Sequence, residues 1–169
     1  MTDRPTPTDP PAPPNSSFAQ EHALLDHLLH EHLLDVMGGD LAMAHERLQR
    51  WRSELARHIE IENQHLLPHV PEGARWTARV YLLEHERIGL LADEYAERVS
   101  RAAHQPLPAG RARQATLLEL IDSAHALRHV LEHHHEREQT ALAHELPQPL
   151  QQAAWKMAHP QTQTLVRIK

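Results

Sequence analysis

An all-α fold, an up-down-up-down four-helix bundle, is what this sequence predicts, and three observations predict it. Proline is absent from residues 15–67, 72–105 and 109–146, so the chain offers long stretches without a breaker. Those stretches carry apolar residues at helical spacing. No alternating run rich in Val, Ile, Thr or aromatic residues marks a strand. Short connections between long amphipathic helices make neighbours antiparallel.

Taken in order, six of the 13 prolines fall within residues 1–14, a polar stretch with too little apolar surface to bury, so residues 1–15 are expected to be a disordered tail. The bundle is assigned to residues 16–146. Its first helix covers about 17–37, with Ser17 and Gln20 spaced as a capping box. Gly38-Gly39 then supplies a C-terminal stop, and Asp40 is a natural N-cap for a second helix over about 40–67. Pro68, Pro71 and Gly73 separate it from a third, about 74–103, which only Gly89 interrupts. Pro106, Pro108 and Gly110 precede a fourth, about 111–146, closed by Pro147 and Pro149. Residues 147–169 form a Gln-rich C-terminal tail that can add a short docked helix.

Composition excludes several functions. A length of 169 residues suits one domain with a sizeable core. A net charge of −6 argues against a general nucleic-acid or anionic-membrane surface. No apolar run is long enough to span a bilayer, and no signal-peptide pattern opens the chain, so a cytoplasmic protein is expected. The absence of cysteine excludes disulfides, thiolate metal sites and Cys nucleophiles. Against one Phe, two Tyr and three Trp stand 17 histidines, and imidazole is the commonest metal ligand.

Each helical residue advances by about 100°, which sorts these histidines by face. His22 and His32 share the first helix's stripe with Phe18, Leu25, Leu29, Leu33 and Val36, while His27 and His30 lie off it. On the second helix His58 and Glu62 join Ala44, Leu48, Trp51, Leu55, Ile59 and Leu66, with His65 at the border. On the third, His85 lies among Ala78, Tyr81, Ile88, Ala92 and Val99. The fourth combines His134 and Glu138 with Leu120, Ala124, Leu127, Leu131 and Leu142; His125 and His129 face away, and His133 and His135 flank the stripe.

An internal repeat sharpens the pattern. Leu55, His58, Glu62 and Leu66 recur at constant offset as Leu131, His134, Glu138 and Leu142, and the other two helices carry Glu21-His22 and Glu84-His85. Chain lengths also match: about 15 residues run from His22 to Met37 and about 18 from Asp40 to His58, so the two histidines sit at similar height. Starting from His32 instead leaves a mismatch of roughly 20 Å, which makes His32 a core or supporting residue. The candidate metal ligands are therefore His22, His58, Glu62, His85, His134 and Glu138. Two unpaired carboxylates in an apolar interior would cost several kcal/mol, and a pair of cations removes that cost. The nitrogen and oxygen donor set suits iron, with manganese or zinc as alternatives. Two ions about 3.5–4 Å apart fit the two-fold pattern. With Glu62 and Glu138 bridging and an oxo or hydroxo group between the ions, each iron keeps an open position for dioxygen, nitric oxide or peroxide.

These residues resemble the hemerythrin-like, or HHE cation-binding, domain family over about residues 17–146. The resemblance implies a non-haem di-iron centre bridged by two carboxylates. Its small partner would be a diatomic gas or a peroxide, handled by sensing, scavenging or slow peroxidase or oxidase chemistry. Oxygen-carrying members have a second His four residues after that of the third helix; here Gly89 stands there. The symmetric pattern looks closer to bacterial di-iron proteins tied to nitrosative stress and iron–sulfur repair, which commonly bear an N-terminal cysteine-containing segment, whereas this sequence has no cysteine. Asp26, four residues after His22 near the ligand face, is a further ligand, a hydrogen-bond acceptor behind one, or a solvated or capping residue.

Three other readings compete. A ferritin-like site would use Glu-x-x-His pairs, of which Glu62 with His65 fits, while Glu132 with His135 falls largely on an outer face. A zinc or nickel store would use the His133–His135 cluster, although consecutive helical residues cannot all face one ion. A metal-free interaction module would treat Trp51 and the Leu stripes as core alone.

Overall fold

Residues 17–158 are described by the computed structural model, and among them the regular structure is helical, with no strand. The helices are α1 (Ser17–Gly38), α2 (Leu41–Ile61), α3 (Ala78–Ala103), α4 (Gly110–Ser123), α5 (His125–Arg137), α6 (Ala143–Glu145) and α7 (Gln148–Ala158). A π turn at Glu62–Leu66 and a 3-10 turn at Leu67–His69 continue α2, and a second π turn at Glu138–Leu142 joins α5 to α6. The Pro-rich segment 1–15 and the last residues of the Gln-rich tail lie outside the described residues, as does the position preceding Ser17 that would cap α1. Among the described residues, no helix is long and apolar enough to cross a membrane.

The first turn forms where the glycines and Asp40 place it. Gly39 adopts φ +78°, and the Met43 N–H donates to the Asp40 carboxylate at 3.0 Å. Arg113 of α4 donates to the Gly38 carbonyl at 2.8 Å, and a Cβ at Gly39 would run into that guanidinium. Gly39→Ala is therefore expected to lower unfolding free energy by about 1–3 kcal/mol, from left-handed backbone strain alone. Urea denaturation measures it, and an unchanged midpoint would contradict the backbone strain.

Three boundaries differ from expectation. The third helix starts at Ala78 rather than near 74. Pro71 and Gly73 hold the preceding chain in a turn, and the Arg75 N–H is taken by Glu145 at 2.7 Å. The fourth helix breaks at Ala124, where the Ser123 hydroxyl donates back to the Leu120 carbonyl at 2.7 Å, a bond that bends helices. Both motif-bearing helices pass into π turns beginning at their glutamates.

The interior holds two apolar clusters. One contains Leu25, Leu55, Ile88 and Leu131 among others; the second contains Phe18, Leu66, Tyr81 and Leu142, with Trp155 of α7. The histidine of each motif lies in sequence between a member of one cluster and a member of the other. The expected stripes are buried, with Leu33, Ile59 and Ala78 half-buried at the margins. A polar layer thus separates two hydrocarbon ones. His32, fully buried, has its needs met elsewhere: its ring nitrogens pair with the Ala44 carbonyl and the Tyr95 hydroxyl, each at 2.7 Å.

Candidate metal centre

His22, His58, Glu62, His85, His134 and Glu138 are each at most 4% exposed. They form two groups: His22, His58, Glu62 and Glu138 in one, Glu62, His85, His134 and Glu138 in the other. Within each group the ligand atoms lie within 4.8 Å of one another, and both carboxylates belong to both groups. Each motif brings its His and Glu together at i and i+4 on one helical face. His58 Nε2 lies 3.1 Å from Glu62 Oε1, and His134 Nε2 3.0 Å from Glu138 Oε1. Across helices, His85 Nε2 is 3.0 Å from Glu62 Oε2, and His22 Nε2 is 3.0 Å from Glu138 Oε2.

Most of these atoms do not satisfy one another. Despite the short distances, both Glu62 oxygens, Glu138 Oε1 and the Nε2 atoms of His58, His85 and His134 have no hydrogen-bond partner of acceptable geometry. Native interiors leave only a few such atoms scattered through a domain, since each costs about 1–3 kcal/mol. Six in one layer fit a site built for cations: convergent imidazole nitrogens and carboxylate oxygens, with Glu62 given no well-placed donor and Glu138 only that of His22.

Groups behind these side chains orient them. The Nδ1–H of His85 donates to Asn63 Oδ1 at 2.7 Å, and that of His134 to Glu84 Oε2 at 2.9 Å. In the neutral ring both bonds leave Nε2 with its lone pair free, the tautomer a metal requires. Arg137 pairs with Glu84 and lies 4.8 Å from the Trp76 ring centroid, so this support is itself anchored. On the other side, the Gln139 amide N–H donates to His22 Nδ1 at 2.9 Å, while Nε2 donates to Glu138. Turning that amide end for end presents its oxygen to Nδ1 and frees Nε2 for a cation. His58 lacks such a partner and stacks on Trp155 at 4.9 Å between ring centroids.

Electrostatics follow from burial and proximity. Burial and the charge of Glu138 push the Glu62 carboxyl upward, but His58 and His85 outweigh them and hold it down at about 2. Glu138 is likewise held well below the usual carboxylate range, its burial overcome by His134, His22 and His85. Burial disfavours charge on His58, His85 and His134, yet the carboxylates raise all three from the ordinary imidazole value. His22 goes the other way, lowered chiefly by burial. The carboxylates are thus ionised and ready to act as ligands.

Other sequence candidates stay outside both groups. Asp26 is exposed, its carboxylate 3.6 Å from His135 Nδ1. His65 is half-buried and Glu132 exposed, so the ferritin-like pairs do not assemble with the six. The His133–His135 run divides by face: His133 is exposed, His134 joins the centre, and His135 is buried and stacked on His22 at 3.9 Å. Sequence reasoning missed the roles of Asn63, Glu84, His135, Gln139 and Trp155. Asn63 and Gln139 follow the two motif glutamates directly, a repeat-related signal that could have exposed them. Trp155 offered none, because its contacts with Phe18 and His58 depend on where α7 docks. No protein-family model, curated protein or solved structure matches this chain. The class stands on the geometry: a helical protein with a buried histidine–carboxylate site able to hold metal.

Proposed function

We propose that this chain is a hemerythrin-like di-iron protein whose four helical rods run up-down-up-down, and that it binds or reacts with dioxygen, nitric oxide or a peroxide. The observation that carries the reading is the sharing of Glu62 and Glu138 between two four-residue groups, each completed by two histidines. Alternation supports the topology. Passing from the Phe18–Leu142 cluster through the polar layer to the other raises the residue number on α1 and α3, and lowers it on α2 and α5.

When bound, a pair of irons would supply redox chemistry toward a small ligand. The protein's part is to hold and enclose. Glu62 and Glu138 would serve both ions, His22 with His58 would hold one and His85 with His134 the other, and Asn63 and Glu84 fix two of the rings. Trp155 and Phe18 cover one end of the layer and exclude water from it. The role fitted to such a centre is sensing or scavenging in a stress response.

Metal analysis with an optical spectrum tests the proposal. Two irons per chain are expected, with near-ultraviolet absorption that changes on adding azide, peroxide or nitric oxide. A colourless protein holding zinc alone, or an iron spectrum indifferent to all three reagents, would rule it out.

A further inference from the structure

The four histidines of the centre do not account for the remaining imidazoles, and those are unevenly placed. Between α1 and α5 runs a groove of ≈ 880 Å³ whose lining includes His27, His30, His125, His129 and His135. Three carboxylates, Asp26, Glu132 and Glu136, line it against one guanidinium, Arg128. Four of the five histidines are exposed, whereas His135 is only 6% exposed.

Two residues of the groove's lining touch the centre. Gln139, also in its lining, hydrogen-bonds His22, and the His135 ring lies parallel to the His22 ring. One edge of His135 faces the exposed Asp26 carboxylate, while its Nε2 is buried without a partner. An unpartnered nitrogen there costs free energy unless something uses it. Among the described residues, clusters of three or more ligating groups occur only in the interior layer. Two exposed groove donors instead form a pair: His125 and His129 have ring centroids 6.2 Å apart, one helical turn from each other. A pair of imidazoles leaves most of a cation's coordination shell to water, so it binds weakly and releases readily, whereas a closed four-ligand site retains its ion.

We propose that this groove is the route by which divalent first-row cations reach the buried centre, with His135 the last donor before His22. The inference rests on the reading of the six residues as a metal centre. Its carboxylates draw cations in, its paired imidazoles exchange water for nitrogen stepwise, and His135 carries the ion past the protein surface.

The test follows cobalt(II) uptake by metal-free protein in stopped flow, with the final cobalt content measured separately. Two variants probe the route: His135→Phe, which keeps the stacked ring but removes its nitrogens, and the double exchange His30→Ala with His129→Ala, which alters only exposed positions. Each is expected to load about tenfold more slowly, the scale on which lost supporting donors weaken metal sites, and to end at the wild-type content. His69→Ala and His104→Ala, at exposed positions outside the groove, should load at the wild-type rate. Wild-type loading rates in both groove variants would overturn the route. A lower final content in His135→Phe would overturn the relay by making His135 a ligand. Wild-type protein that takes up no cobalt would fail at an earlier point, removing the metal centre and the route with it.

Discussion

Chelation of the bound metal is expected to lower the melting temperature by about 10 °C or more. An ion bound at a thousandfold excess over its dissociation constant stabilises the fold by about 4 kcal/mol. Each kcal/mol moves the melting point of a domain this size by about 2–4 °C. The structural basis is specific. Without cations, both Glu62 oxygens, Glu138 Oε1 and the Nε2 atoms of three histidines stay buried with no hydrogen-bond partner. The ligands also tie α1, α2, α3 and α5 to one layer, so losing the ion loosens every contact that crosses it. Calorimetry before and after chelation measures the effect, with Glu138→Ala as the control that should not respond. Identical melting of treated and untreated protein would show that no buried ion contributes to folding.

The second large effect is in stoichiometry. Because Glu62 and Glu138 each belong to both ligand groups, Glu62→Ala or Glu138→Ala should abolish binding of both ions. His85→Ala or His134→Ala removes a residue from one group only and should leave about one ion per chain, held by His22, His58 and the carboxylates. His129→Ala, exposed on α5, should retain the full complement. Truncating one member of a buried charged set also leaves its partners uncompensated, at a cost of about 3–5 kcal/mol, so the glutamate variants should melt well below wild type. Metal analysis of purified variants gives the answer. Equal loss from Glu138→Ala, His134→Ala and His129→Ala would mean that the centre has been assigned to the wrong helical faces.

Much of the centre was legible because burial and helical periodicity are local properties. A residue's angle around its own helix follows from counting, and counting put His58 and Glu62 on the apolar stripe and His27 and His30 off it. Choosing His22 over His32 needed one further step, the matching of chain lengths across a turn. His32 indeed has partners of its own in Ala44 and Tyr95. His135 escaped the counting. It flanks the stripe by ideal angle yet is buried, because α1 packs close enough to lay His22 flat against it. Both π turns escaped as well, since widening a helix by one residue per turn leaves no mark in a pattern reckoned at fixed angle.

Prolines, glycines and apolar spacing by themselves determined the helices, the stop at Gly39 and the six residues that must avoid hydrocarbon unless they meet one another. Those are decisions made within a few turns of chain, where geometry is set by the backbone. Only the tertiary structure decided which groups stand behind the ligands: Glu84 behind His134, Gln139 behind His22 and Trp155 over His58. Such partners come from different helices, and their distances depend on how rods of known facing slide and rotate against one another. That is a property of packing, which no single helix carries in its own sequence.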